Sequence, residues 1–205
     1  MKIASIKVGK RDREKLVIRT EDGTYISARI DDAYNLRVGD EITVEEAEEL
    51  EAKYSKTLAK KSAAKTLAYR SASKGELTKK LLQKGFSEED SKEAVLWLEE
   101  RGFVDDESYA DALVEYYTAR GYGERRINEE LRRRGISREI CEDVSSRLPD
   151  FTEEIKSLIE KKLRGDVLTL DKKNKIVAFL IRRGFGYSEI KTAFSEMQFS
   201  VEDFD

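Results

Sequence analysis

Three segments of this chain follow one pattern: LLQKGFS at 81–87, LRRRGIS at 131–137 and LIRRGFG at 180–186. Each runs Leu, two variable residues, a cation, Gly, then Phe or Ile. Gly85, Gly135 and Gly184 are 50 and 49 residues apart. Recurrence at that period marks stacked supersecondary units that bury their apolar faces on one another. The pattern reads as the end of one helix and the start of the next. Lys84, Arg134 or Arg183 faces the negative end of the helix dipole. The Gly takes φ > 0 and caps the helix. Phe86, Ile136 or Phe185 packs back, and Ser87 and Ser137 cap the helix that follows, with Ser188 doing so one residue late in the third unit.

From about residue 55 the apolar spacing is helical, and helices are predicted near 55–71, 74–84, 87–101, 106–120, 124–134, 137–147, 151–164, 171–183 and 187–197. That is three groups of three. The middle helices share an apolar register at i, i+4: Leu77/Leu81, Ile127/Leu131 and Ile176/Leu180. Ser73 and Glu76 form a capping box, while Asp106, Asp150 and Asp171 are expected to cap the helices they open or precede. The third unit departs from the others. Its first turn is the longer RGDVLTLD, and its middle helix contains the apolar run KIVAFLI, which predicts the most buried middle helix.

The first 30 residues read differently. KIASIKV, KLVIRT and TYISARI alternate apolar and polar residues, the strand signal. Asp22-Gly23 predicts a two-residue hairpin turn. DDAYNLRVGD predicts one helical turn before a Gly-Asp turn. The fold class is therefore mainly α: three tandem three-helix repeats in an elongated array, preceded by a small antiparallel β meander. Expected boundaries are 1–45 for the β domain, 46–72 for a helical linker carrying Leu50, Tyr54 and Leu58 on one face, 60–104 for repeat 1, 105–148 for repeat 2 and 149–205 for repeat 3.

Residue inventory narrows the chemistry. With no His and one Cys, the usual zinc sites and the commonest general base are absent. The sequence offers no Gly-rich phosphate loop, no Gly-x-Ser-x-Gly and no nucleophile–base pair, so no catalytic residue, metal or cofactor is assigned. Cys141 lies in a helical pattern and reads as a small core residue. A single Cys excludes an internal disulfide, and no apolar run reaches a membrane span. A cytoplasmic protein is expected.

Charge is segregated. Lys60–Lys84 holds eight cations against one Glu, whereas Gly85–Tyr117 holds two against eleven acids. Thr118–Ile140 carries seven Arg against four Glu, and Lys156–Arg183 nine cations against three acids. The end of the chain from Gly184 is acidic again. Basic blocks thus fall on the first two helices of each group. If the groups stack in parallel, these helices form a stripe able to follow phosphates. The candidate contacts are Arg70, Lys74, Lys79 and Lys80 in the first group. Arg125, Arg126, Arg132 and Arg133 follow in the second, and Lys172, Lys173, Lys175 and Arg182 in the third. Those of ERRINEELRRRG avoid the Ile127/Leu131 face and are available to phosphates or acidic partners. Tyr69, Trp97, Tyr109, Tyr116, Tyr117 and Tyr122 are expected mostly in inter-helix cores.

Several motifs occur in order at one spacing. They are Arg70 with Ser73, Glu76-Leu77 and Leu81, Lys84-Gly85-Phe86, RGFVDDESYA, Arg120 with Gly121 and Gly123, and Glu130-Leu131 with Gly135-Ile136. Over about residues 60–145 the chain resembles the RecX regulatory proteins, modulators of the RecA recombinase. The third group fits in position but diverges in wording, and the N-terminal strands resemble an extra region found in longer members. The resemblance implies a non-enzymatic inhibitor acting in DNA repair, homologous recombination and the SOS response. Such a protein binds the RecA filament on single-stranded DNA and suppresses ATP hydrolysis and strand exchange; double-stranded DNA is left open as a partner, and a monomer is expected. A net charge of −3 suits a partner that presents both protein and DNA. The alternatives are a nucleic-acid-binding repeat protein that needs no recombinase, and a scaffold whose basic stripe binds acidic proteins.

Overall fold

The computed structural model describes residues 1–10 and 12–197. Three strands, β1 (Ile3–Val8), β2 (Lys15–Thr20) and β3 (Tyr25–Arg29), form an antiparallel meander in that order. Ile3, Leu16, Ile18, Ile26 and Ala28 point to one side and make a small core with Ala33, Ile42 and Ala47. The period-two alternation produces this directly, interrupted by a bulge between Ile3 and Ser5. The β2–β3 turn is longer than the expected two residues. Thr20 N–H donates to Thr24 O at 3.0 Å, and Asp22 accepts from Thr24 N–H, so residues 21–24 form the loop, with Gly23 at φ +93°. The segment 31–40 is a succession of turns, not a helical turn. Its N–H groups at Ala33, Leu36 and Asp40 each reach back three residues, and Gly39 N–H turns away to Ile3 O.

Nine helices follow among the described residues: α1 (Val44–Leu67), α2 (Lys74–Gln83), α3 (Glu88–Glu99), α4 (Asp106–Thr118), α5 (Glu124–Arg133), α6 (Arg138–Arg147), α7 (Thr152–Leu163), α8 (Leu170–Arg182) and α9 (Tyr187–Glu196). The expected helical linker and the first helix of the first group are one continuous helix, α1, which opens at Val44. Thr43 and Glu46 close a capping box at its N-terminus, and no Gly or Pro interrupts the next 24 residues. One helix therefore serves twice. Ala47 and Leu50 cover the sheet, while Ser55 and Lys60 reach Asp90 and Glu93 of α3.

The chain divides into two compact units, 1–71 with 77–104, and 72–76 with the chain from 105 onward. In the second unit α4, α5 and α6 pack on one another, as do α7, α8 and α9, around one core that includes Ile127, Leu131, Ile155, Ile159, Leu180 and Phe185. The three i, i+4 pairs of the middle helices are all buried. Cys141 sits in this core, where burial pushes its thiol pKa up. Residues 198–205, which hold most of the acidic end of the chain and the close of the expected third repeat, lie outside the described residues.

Several caps differ from the sequence reading. Asp105, not Asp106, caps α4, accepting from the N–H groups of Glu107 and Ser108. Asp106 is buried and accepts from Lys74 N–H at 2.8 Å. Thr169, not Asp171, caps α8. At α9 the chain enters through Gly186, whose N–H donates to Glu189 at 2.6 Å, so Ser188 lies inside the helix. Asp150 does bind the first turn of α7, through Thr152 N–H and Oγ1. The middle helix of the third group is not the most buried: only Ile176 and Leu180 are fully covered, against four residues of α5. Val177, Phe179 and Ile181 pack against the core edge and are half-covered, while Leu170 and Ala178 are exposed.

Candidate nucleoprotein-binding faces

The repeated pattern works at two levels. Within each group it is a Schellman corner: Phe86, Ile136 and Phe185 N–H donate to Leu81, Leu131 and Leu180 O at 3.3, 3.1 and 3.2 Å. The glycines have φ of +88°, +73° and +91°. Within the second unit the same corner also docks on the N-terminus of the preceding middle helix. Gly123 N–H donates to Arg183 O and Arg125 N–H to Gly184 O, both at 3.0 Å. Orphan donors opening α5 thus meet orphan acceptors closing α8, which satisfies both helix ends. One repeat earlier, Ser73 Oγ donates to Arg134 O at the end of α5, while Gly75 and Gly135 touch backbone to backbone.

The corner cations are part of these joints. Arg183 donates to Arg120 O at 2.6 Å and Gly121 O at 2.8 Å, with its guanidinium 5.1 Å from the Tyr122 ring centroid. Arg134 donates to Tyr109 Oη at 2.6 Å and lies 3.7 Å from Glu76. Tyr109 Oη in turn donates to Glu76 at 3.1 Å. Both arginines are committed within the fold, and a planar guanidinium suits this multi-donor stitching better than an ammonium. Lys84 ends instead at Ser62 Oγ, inside its own unit.

The four candidate arginines of α5 separate into two kinds. Arg126 and Arg133 flank Glu130, which is 4% exposed. Arg126 Nη2 lies 3.0 Å from one carboxylate oxygen, and Arg133 donates to the other from Nε at 3.0 Å and Nη2 at 2.5 Å. Burial opposes ionisation of Glu130, yet hydrogen bonding and charge from Arg133, with the charge of Arg126, hold its pKa below the usual carboxylate range. Arg125 and Arg132 are seven residues apart, on one outward face, exposed, and without an ion pair among the described residues. Arg132 lines a groove of about 580 Å³ between α5 and α6, together with Asn128, Ile136, Arg138, Cys141, Glu142 and Ser145.

Glu130 gives a pH prediction. Its folded pKa is depressed, so its contribution to stability is present above the unfolded value of about 4.3 and is lost as pH falls through the folded value. Glu130→Gln is expected to cost about 1–3 kcal/mol at neutral pH, with the deficit shrinking toward pH of about 3. Urea unfolding of both proteins across this range reads it.

Elsewhere the basic blocks are partly spent inside the fold. Lys60 and Lys56 pair with Glu93 at 2.7 and 2.9 Å, and Lys61 pairs with Glu14. The acidic third helix of the first group is thus counter-charge for α1. On α8, Lys172 pairs with Asp166 at 3.0 Å and Lys175 with Asp171 at 2.6 Å, while Lys173 lies 5.8 Å from the Phe194 ring centroid. Arg182 is exposed, Lys79 exposed and Lys80 half-buried, and none has an ion pair among the described residues. Arg70 is exposed and donates to Ser71 O at 3.3 Å; Lys74 is half-buried at the start of α2. The six aromatics named above are not inter-helix core in the strict sense. Trp97, Tyr109, Tyr117 and Tyr122 are half-buried, and Tyr69 and Tyr116 are exposed.

Sequence reasoning found the basic helices but not which cations the fold consumes. Glu130 was the missed signal: it adjoins Leu131 of the core pair and stands four residues from Arg126 and three from Arg133, the spacings at which helical side chains meet.

Comparison with known proteins decides what these helices belong to. Family models for the first, second and third three-helix domains of RecX match residues 59–98, 105–144 and 150–194.

The chain belongs to the RecX family.

The regulatory protein RecX of Vibrio vulnificus is 34% identical over 140 residues, covering 67% of this chain and 91% of its own. The Clostridium botulinum (strain Eklund 17B) RecX is 29% identical over 203 residues and covers 95% of both chains. That second relative therefore extends across nearly the whole length. Among solved structures, a regulatory protein RecX superposes with a TM-score of 0.68 over 95% of this chain and 98% of its own, at 21% identity. RecX from Lactobacillus salivarius gives 0.64 over 71% of this chain and 97% of its own, at 25% identity. These likenesses support the fold: mainly α, with three helical domains after an antiparallel three-stranded sheet. The family is one of regulatory proteins, and no helix among the described residues is long and apolar enough to cross a membrane.

Proposed function

We propose that this chain inhibits a RecA-type recombinase by binding its filament on single-stranded DNA and suppressing ATP hydrolysis and strand exchange. It acts by binding, catalyses no reaction, and works in the cytoplasm. The observation that carries the reading is the match of all three three-helix domains to RecX, in order.

The charge arrangement supports the mode of action. Arg125 and Arg132 of α5, Arg182 of α8, and Lys79 and Lys80 of α2 are cations that the fold leaves to a partner. Phosphates of a nucleoprotein filament, or carboxylates of its protein, fit them. The rest of the surface is acidic enough to hold the net charge at −3, which disfavours indiscriminate binding to bare duplex. Arg126, Arg133, Lys172 and Lys175 contribute second, since each must leave a carboxylate of the same chain to do so.

Steady-state ATP hydrolysis by a RecA-type recombinase on single-stranded DNA tests the reading. Substoichiometric additions of this chain are expected to lower the rate. An unchanged rate at every ratio would leave recombinase-independent nucleic-acid binding as the better account.

A further inference from the structure

The outer face of the β meander has the make-up of a single-strand nucleic-acid platform. Strand alternation and register place Lys7, Lys15, Arg19, Tyr25 and Arg29 on the side opposite the Ile3/Ile18/Ile26 core. The remaining outward positions are Ser5, Val17 and Ser27, so the strands themselves contribute no carboxylate to this face; Glu51 of α1 accepts from Ser27 N–H at 3.3 Å and Asp31 reaches Arg29, both toward β3 and away from Lys7 and Arg19 on β1 and β2. Helix α1 covers the inner side through Ala47 and Leu50, while Lys7, Arg19 and Tyr25 remain exposed.

Two features of the face work against folding and call for another reason. Lys15 and Arg29 stand directly opposite each other across β2 and β3. Like charges in that relation are destabilising. Arg29 is offset by Asp31 at 2.6 Å, but its Nε is buried without a hydrogen-bond partner, and Lys15 leans to within 5.3 Å of the Tyr54 ring centroid. Tyr25 is 63% exposed, with the Arg19 guanidinium 5.8 Å from its ring centroid. An aromatic ring standing in water beside cations on a sheet is the arrangement on which an unpaired base stacks while its phosphates meet the charges.

We propose that this face binds single-stranded nucleic acid directly, with a base on Tyr25 and flanking phosphates on Lys7 and Arg19. The proposal stands on the sheet itself and does not require the recombinase. Charge complementarity selects a polyanion, and the exposed ring selects one with unpaired bases over a duplex.

Fluorescence anisotropy of labelled oligo(dT) and oligo(rU) with the full chain, without recombinase, tests it. Lys7→Glu/Arg19→Glu is expected to weaken binding more than tenfold at low salt and to flatten the salt dependence by about 1.4 log units per log unit of salt. Tyr25→Ala is expected to weaken it by about tenfold, and Tyr25→Phe to leave it near the parent value. All three sites are on the surface, and unchanged thermal unfolding would show the variants folded. Parent-like affinity in both Lys7→Glu/Arg19→Glu and Tyr25→Ala would overturn the proposal, as would no binding by the parent. A chain that inhibits the recombinase yet ignores these oligonucleotides defeats this inference and leaves the proposed function standing. One that binds them through Tyr25 without inhibiting does the reverse. Stronger binding to DNA or to RNA identifies which strand the platform prefers.

Discussion

Gly184→Ala should lower stability far more than Gly85→Ala, although both residues close the same repeated phrase at nearly the same φ, +91° and +88°. The conformational part is common to both: a left-handed residue with a Cβ costs about 1–2 kcal/mol. The surroundings are not. At Gly85 a Cβ would meet nothing within 4 Å. At Gly184 it would run into the backbone nitrogen and Cβ of Arg126, at the start of α5. That backbone is pinned by the hydrogen bonds of Gly123 and Arg125 to Arg183 and Gly184. Relief requires opening the joint, and overpacking of this kind adds about 1–3 kcal/mol. The expected losses are about 1–2 kcal/mol for Gly85→Ala and about 2–5 kcal/mol for Gly184→Ala. Urea unfolding midpoints relative to the parent read the difference. Equal losses would show that the corner does no more than cap its own helix.

Charge reversal at Arg125 and Arg132 is expected to abolish most of the regulatory activity while leaving stability nearly unchanged. Both side chains are exposed and neither has an ion pair among the described residues, so their removal costs the fold little. Charge-assisted hydrogen bonds to a partner are worth about 1.5–3 kcal/mol each, so losing two weakens binding by about a hundredfold or more. The matched control is Arg126→Met/Arg133→Met. It strips Glu130 of both arginines and leaves it the Tyr117 hydroxyl, and the expected result is the opposite division. Stability falls by about 1–3 kcal/mol, because a buried carboxylate loses its charged hydrogen-bond donors, while inhibition falls less wherever the protein remains folded. Recombinase ATPase titrations and urea melts on the two variants separate the outcomes. Equal loss of inhibition with equal loss of stability in both would erase the distinction between outward and inward arginines.

Much of the helical architecture was legible because it rests on local rules. Apolar residues at i, i+4 gave the middle helices, and Gly after a cation gave their ends. What escaped depends on partners distant in sequence. Thr169 takes the cap from Asp171 because α8 opens at Leu170, one residue before the expected start, so Asp171 already lies in its first turn. Asp106 gives up the cap to Asp105 and turns to Lys74 N–H, 32 residues away. The candidate contacts follow the same division. A count of charges located the basic helices, but only the fold shows that Arg126 and Arg133 neutralise Glu130 and that Arg134 and Arg183 stitch the joints. The sheet face escaped because its cations alternate with core residues and never form a run.

The central claim is that the basic helices recognise a nucleoprotein filament in preference to DNA alone. Its most direct test is the affinity of the fluorescently labelled chain for recombinase filaments assembled on single-stranded DNA, measured beside the same DNA without protein. The account predicts at least tenfold tighter binding to the filament, with the excess lost in Arg125→Glu/Arg132→Glu. Equal affinity for filament and bare strand would contradict it and assign the basic helices to nucleic acid alone.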